Sequence, residues 1–370
     1  VIPPTFRLLR AACCLPVLLA GPALTGCREE PPSMPERTAA WQEAELPTLA
    51  PGSSLAAIAF AGNHGYALGS TTGKAGGDCL LLSRSDAGGW TRLQPAALPD
   101  NAVMLDLAVG LSGLALGGYR MQGTDPSLIY DERGVAPATI THGGLGIAAI
   151  DGDDALMLAG GTAMGGVLLT SRTPGQWTLA SIPLDPLREG GCTDVFVGNG
   201  LALACGFADG ADTMQVVLKL DATDDTWRKV PLGAGVSALT LQCVAAASDG
   251  TLMLGGLSGA GGARPRAFLW RRDTGGAWSP LTLPDGDLIG GINDILPVAG
   301  GAWYVACGGE GGSGLATIMR VDGGGITREL TPFTGNLLQL AVDAASRLHA
   351  VGYRLTPGVG MRQPLLLERS

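Results

Sequence analysis

AAWQEAELP, residues 39–47, places a tryptophan five residues ahead of a Leu-Pro pair. The same Trp-x4-[Leu/Ile]-Pro pattern returns at Trp177 and Trp278, each time at the end of a longer unit. The first copy therefore ends a unit that has no beginning before it. The missing beginning lies at the other end of the sequence. PLLLERS, residues 364–370, is an apolar strand that lacks the Trp segment following such strands elsewhere. Joining the two ends completes one unit and closes the repeats on themselves, which leaves only short outer edges.

The repeat itself is read from apolar runs ending in glycine: YALGS (66–70), LALGG (114–118), LMLAGG (156–161), LALACG (201–206), LMLGG (252–256), WYVACGG (303–309) and LHAVG (348–352). Their shared glycines, Gly69, Gly117, Gly160, Gly206, Gly255, Gly308 and Gly352, average about 47 residues apart. That period is typical of four-stranded propeller units. Each unit has an apolar run, a tight glycine turn such as Gly198-Asn199-Gly200, and the glycine-ended run. A Gly-rich loop, a third strand such as CLLLSR (79–84) and a fourth opened by a residue such as Trp90 or Trp227 complete it. The expected fold is all-β, a seven-bladed β-propeller over residues 39–370, its last blade closed by the N-terminal strand. Pro47, Pro183 and Pro284 fall in the outermost strand, where a missing N–H breaks no ladder.

The apolar-Gly-Gly run with a downstream Trp and Leu-Pro resembles kelch-type propeller repeats. Asp273-Thr274-Gly275-Gly276-Ala277-Trp278 is similar to the Asp-box turn of sialidase-like propellers, with Arg271 where that motif has Ser. Both motifs are structural; they imply a fold and no activity.

Residues 1–26 form an address. Arg7 and Arg10 precede an apolar run from Ala11 to Leu24, too short to span a bilayer, which reads as a signal-peptide core. Leu24-Thr25-Gly26-Cys27 resembles the bacterial lipobox, which implies cleavage before Cys27 and lipid attachment there. Arg28 in place of Asp favours the outer membrane by the same resemblance. Residues 27–38 then hold the lipidated Cys and a Pro-rich tether. The expected location is the exported cell envelope, as an outer-membrane lipoprotein facing the periplasm or the surface.

The chain of 370 residues carries 33 acidic and 24 basic side chains, a net charge of −9. That sign, without a basic run, argues against nucleic acid as a partner. His64, His142 and His349 show no metal-ligand spacing, so neither a metal nor a catalytic triad is expected, and no cofactor. Gly309 to Gly314 matches GxGxxG by letter but leads into a strand, which supplies no helix terminus for a phosphate.

Alignment on the shared glycines puts Ala56, Asp106, Gly146, Asp194, Gln242, Asp294 and Gln339 at one early position of the innermost strand. Five polar residues in apolar runs near an axis make Asp106, Asp194, Gln242, Asp294 and Gln339 candidate ligand-binding residues. Tyr119, Arg120, Tyr353 and Arg354, at matching places after the second strand, join them. The same side chains would equally suit hydrogen bonds between blades or cation binding. Cys192 and Cys205 lie on consecutive strands and face each other if the turn is Gly198-Asn199, but not if it is Asn199-Gly200; a disulfide and buried free thiols both fit.

The reading that follows is a lipid-anchored, non-catalytic module binding an envelope protein or glycan. A propeller hydrolase or lyase acting on carbohydrate or peptide is the alternative.

Overall fold

Leu-, Ala- and Val-rich runs of five to ten residues, stopped by glycine turns, bury both faces only when sheets stack on sheets. The computed structural model describes residues 40–71, 78–85, 88–95, 98, 101–120, 127–134, 138–142, 146–164, 167–184, 189–209, 214–233, 235, 239–258, 266–284, 290–308, 315–330 and 332–369. The signal-peptide segment, Cys27, the tether and Gly309 to Gly314 lie outside them. All regular elements among the described residues are β-strands.

The first sheet pairs Ser54–Ala61, His64–Thr71, Asp78–Arg84 and Trp90–Leu93 in that order, all antiparallel. Sheets over 102–142, 194–230 and 240–281 repeat the order. The sheet over 146–191 adds Glu189–Gly191, which returns to pair with Met157–Met164. The remaining eight strands form one sheet. It joins Gly291–Pro297 through Gly325–Arg328 to Phe333–Val342, Leu348–Leu355 and Arg362–Arg369 by bridges such as Gly308 to Asn336 and Leu315 to Thr334. Gln42–Glu43 pairs antiparallel with the last strand, Gln42 opposite Glu368, as the Trp41 pattern predicts. Trp41 is buried there, edge-on to Tyr304 at 6.4 Å.

Each glycine-ended run works in two ways. Gly118, Gly161, Gly256 and Gly352 sit opposite a bulge in the first strand, where a Cβ would overlap the carbonyl oxygens of Val103, Gly146, Thr240 and Asn336. The preceding glycines Gly117, Gly160 and Gly255 seat the next sheet's Ile147, Cys192 and Ile292. The motif therefore sets both the bulge and the distance between sheets.

The first strands of successive sheets pack in chain order, and Phe333–Val342 packs on Ser54–Ala61. Between these last two sheets lies a buried polar cluster. His349, fully buried, faces Asp343 at 3.3 Å and Glu368 at 3.6 Å; Arg84 reaches both carboxylates, and Phe60 lies 4.3 Å from the imidazole. His64 lies against Tyr66, and the backbone of His142 ends the strand Ala138–His142.

Two outer-strand tryptophans tie their sheets to the ones before them. Trp177 Nε1 donates to Asp131 at 2.9 Å and Trp278 Nε1 to the Pro231 carbonyl at 2.9 Å. The Asp-box-like turn is closed by Ala277 N donating to Asp273 Oδ1 at 3.0 Å.

The register pairs Gly198 with Leu201, so the hairpin turn is Asn199-Gly200, both residues at positive φ. Cys205 then stands opposite Asp194 and not Cys192. Both cysteines are buried free thiols, and the disulfide alternative gives way to the buried-thiol one for that reason.

Candidate functional site

The first strands converge on two adjoining cavities. The outer recess, about 280 Å³, is lined by the bulge residues Ala56, Leu105, Ala148, Thr193, Gln242, Asn293 and Leu338, with Asp106, Asp194, Asp294 and Gln339 beneath them. The inner chamber, about 240 Å³, shares those four polar residues and adds Asp151. They form the partition between the two spaces.

The bulge decides which side chains stand where. It inserts a residue between Leu55 and Ala57, Met104 and Asp106, Ile147 and Ala149, Leu241 and Cys243, Ile292 and Asp294, and Leu337 and Gln339. Asp106, Asp294 and Gln339 follow the bulge, opposite Gly117, Ala306 and Val351. Asp194 stands opposite Cys205, whose carbonyl also accepts the N–H of Thr193, so two residues again face one. Ala56 and Gln242, by contrast, lie in the bulge itself, and Gly146 pairs with Thr162, three residues before the equivalent Ala149. The common position expected from the glycines thus splits, because the shared glycine falls on different sides of the bulge in different sheets.

Most of the partition is engaged in holding successive sheets together. Asp106 Oδ2 accepts from Ile150 N at 2.8 Å, Asp194 Oδ2 from Val244 N at 2.8 Å, Asp294 Oδ2 from Leu340 N at 2.6 Å and Gln339 Oε1 from Ile58 N at 2.5 Å. Asp151 Oδ2 does the same for Val197 N at 2.7 Å. Gln339 Nε2 also donates to Asp106 Oδ1 at 3.1 Å, across the junction of the chain ends. Each bond to a backbone N–H runs from one first strand to the next, so these side chains serve the architecture.

Among the described residues, no Lys, Arg or His lines either cavity. Burial, reinforced by the neighbouring carboxylates, pushes Asp106 and Asp294 up to about 7, Asp151 to about 6 and Asp194 well above the usual carboxylate range, against the pull of their backbone N–H donors. Among the described residues no group of three or more His, Cys, Asp and Glu could hold a metal ion.

The other sequence candidates stand apart from the recess. Arg354 pairs with Glu43 at 2.7 Å and covers the Phe333 ring, while Tyr353 is buried beneath Arg362. Tyr119 packs beside Gly146, and Arg120 ends the strand Gly113–Arg120. None of the four lines the outer cavity. Leu105, Thr193, Asn293 and Leu338 do line it. They escape a residue-type search because nothing in their chemistry marks a bulge.

No family model matches the chain, and no curated protein matches it in sequence. Solved structures do. A structure described as YCF48 bound to D1 peptide aligns at TM-score 0.56 and 11% identity, over 89% of this chain and 96% of that one. A protein from Lactobacillus plantarum aligns at 0.52 and 14%, over 86% and 96%. The β-propeller domain of the trilobed protease from Pyrococcus furiosus, described with an open velcro topology, aligns at 0.52 and 11%, over 86% and 94%. At such identities the likeness carries the fold alone: the chain is an all-β protein of small antiparallel sheets like those of β-propellers.

Proposed function

We propose that this chain is a lipid-anchored envelope protein whose residues 39–370 form a seven-bladed β-propeller that binds a protein or glycan without catalysis. The blade count follows from reading the eight-stranded sheet as two four-stranded units bridged at Asn336, the second completed by Gln42–Glu43. The lipobox-like LTGC supplies the anchor at Cys27, and the glycine-ended runs with their tryptophans support kelch-like construction.

One observation carries the functional reading. The recess gathers side chains from every first strand, and its acids already accept backbone N–H bonds. A carboxylate tied to the neighbouring strand is poorly placed to shuttle protons, whereas a rigid, concave, mixed polar and apolar surface suits recognition. The peptide in the YCF48 structure belongs to that protein; it is an example of what a propeller of this kind accommodates.

In-cell crosslinking followed by detergent purification and mass spectrometry tests the proposal. Wild-type protein is expected to recover a stoichiometric envelope partner, or to retain a glycan on an array, and Leu105→Arg at the recess to lose it. Turnover of a carbohydrate or peptide substrate, abolished by Asp194→Asn, would overturn the non-catalytic reading.

A further inference from the structure

The recess has two unlike halves. Leu338, Ala56, Leu105 and Ala148, from consecutive first strands, make an apolar arc, and Leu105 is 38% exposed to solvent there. Thr193, Gln242 and Asn293 make the facing polar arc. Within the polar arc, two neighbouring acceptors have no donor. Asp106 and Asp294 each hold Oδ1 with the N–H of the next residue, Leu107 and Ile295. Asp194 has no such bond: the one hydrogen bond its carboxylate accepts among the described residues goes to Oδ2. On the adjacent sheet, Gln242 Oε1 is buried and accepts no hydrogen bond. That oxygen faces Gly291 on the following first strand; the terminal torsion of a Gln is broad and roughly two-fold, so a half-turn of the amide exchanges it with Nε2 and turns it from Gly291 toward the recess that Gln242 lines.

We propose that the outer recess is a subsite for a primary ammonium on an alkyl stem, the chemistry of a lysine side chain or a small alkylamine. This rests on the reading of the recess as a binding site and names what it takes. Asp194 Oδ1 and Gln242 Oε1 accept two of the three ammonium protons, and the cation answers an acidic wall that has no Lys, Arg or His among the described residues. The apolar arc of Leu105 and Leu338 covers the four-carbon stem. A divalent metal fits less well: hard cations ask for six or more oxygens, with carboxylates prominent among them, and the described residues gather no group of three His, Cys, Asp or Glu able to hold one. The ammonium also supplies the counter-charge that burial withholds from Asp194, and so holds its carboxylate ionised on binding.

The test uses the full chain in detergent, with calorimetric titration of n-butylammonium, an acetylated and amidated Gly-Lys-Gly peptide, and the same peptide with norleucine for lysine. Butylammonium and the lysine peptide are expected to bind, the norleucine peptide at least tenfold more weakly. Asp194→Asn should weaken the ammonium ligands at least tenfold while its circular dichroism stays that of the wild type. Gln242→Glu should strengthen them several-fold, a gain that misfolding cannot imitate. A lysine peptide bound at least tenfold tighter than butylammonium assigns the site to a polypeptide; equal affinity assigns it to a free amine. Norleucine binding as well as lysine, or an unchanged Asp194→Asn, overturns the proposal. If Leu105→Arg abolishes partner capture in cells but no ammonium binds, the binding module stands and this subsite falls. If ammonium binds and no partner is ever captured, the reverse holds.

Discussion

Asp294→Asn is the most searching perturbation of the axial partition. In the folded protein the carboxyl is pushed up to about 7, chiefly by burial, against ~3.9 when unfolded. A carboxyl raised on folding gives stability that is fully present below the unfolded value and is lost as pH rises through the folded one. Here the loss runs from about pH 4 to about pH 7 and amounts to roughly 3 units, or ~4 kcal/mol as an upper bound. Asparagine keeps an oxygen for Leu340 N, which the aspartate serves at 2.6 Å, and has no charge to bury. Its fixed costs, such as a poorer partner for the Ile295 N–H, are the same at every pH and cancel in a difference. Urea denaturation of both proteins at about pH 3.5 and pH 8 measures that difference. Relative to wild type, the variant should gain about 2–4 kcal/mol at the higher pH over the lower. The opposite outcome, a variant relatively weaker at pH 8, would refute the reasoning. It would mean that the N–H groups of Leu340 and Ile295 hold the carboxylate ionised despite its burial.

Other consequences follow from single contacts. Asp131→Ala strands the fully buried Arg133 guanidinium and should cost ~3–5 kcal/mol in chemical denaturation; the Asp131 carboxyl, held below the usual range with the help of Arg133, also predicts stability lost on acidification. Gly352→Ala forces a Cβ onto the Asn336 carbonyl opposite the bulge and should lower stability by ~1–3 kcal/mol, read as a fall in melting temperature. Trp278→Phe removes the indole bond to Pro231, an expected loss of about 1 kcal/mol in the same assay. Alkylation in denaturant without reductant should label both Cys192 and Cys205, which mass spectrometry reads directly.

The strand order and the pairing of the chain ends were legible because both rest on local signals. Apolar runs, glycine turns and the Trp-x4-[Leu/Ile]-Pro pattern placed a strand near Trp41, and Gln42–Glu43 completes the last sheet. The polar positions Asp106, Asp194, Asp294 and Gln339 were visible as hydrophilic residues in apolar strands, and they do meet at one partition. Asp151 was missed because it lies further along its strand than the aligned position, facing only the inner chamber. Tyr119, Arg120, Tyr353 and Arg354 looked convergent by equivalence, yet Arg354 serves the closure through Glu43.

What the amino-acid order determined by itself, then, is periodic: strand class, repeat length, the four-strand unit and the return of the first strand to the last. Its causes are side-chain alternation and turn chemistry, which act between residues near in sequence. The bulges were decided only by tertiary structure. A single inserted residue reverses which face every later side chain meets. The insertion is held by packing between sheets, with Gly117 under Ile147 and Gly255 under Ile292. That packing turned Leu105 and Gln242 toward the recess and set each first strand's acid against the next strand, because Ile150, Val244 and Leu340, whose N–H groups hold Asp106, Asp194 and Asp294, lie more than forty residues away in the chain.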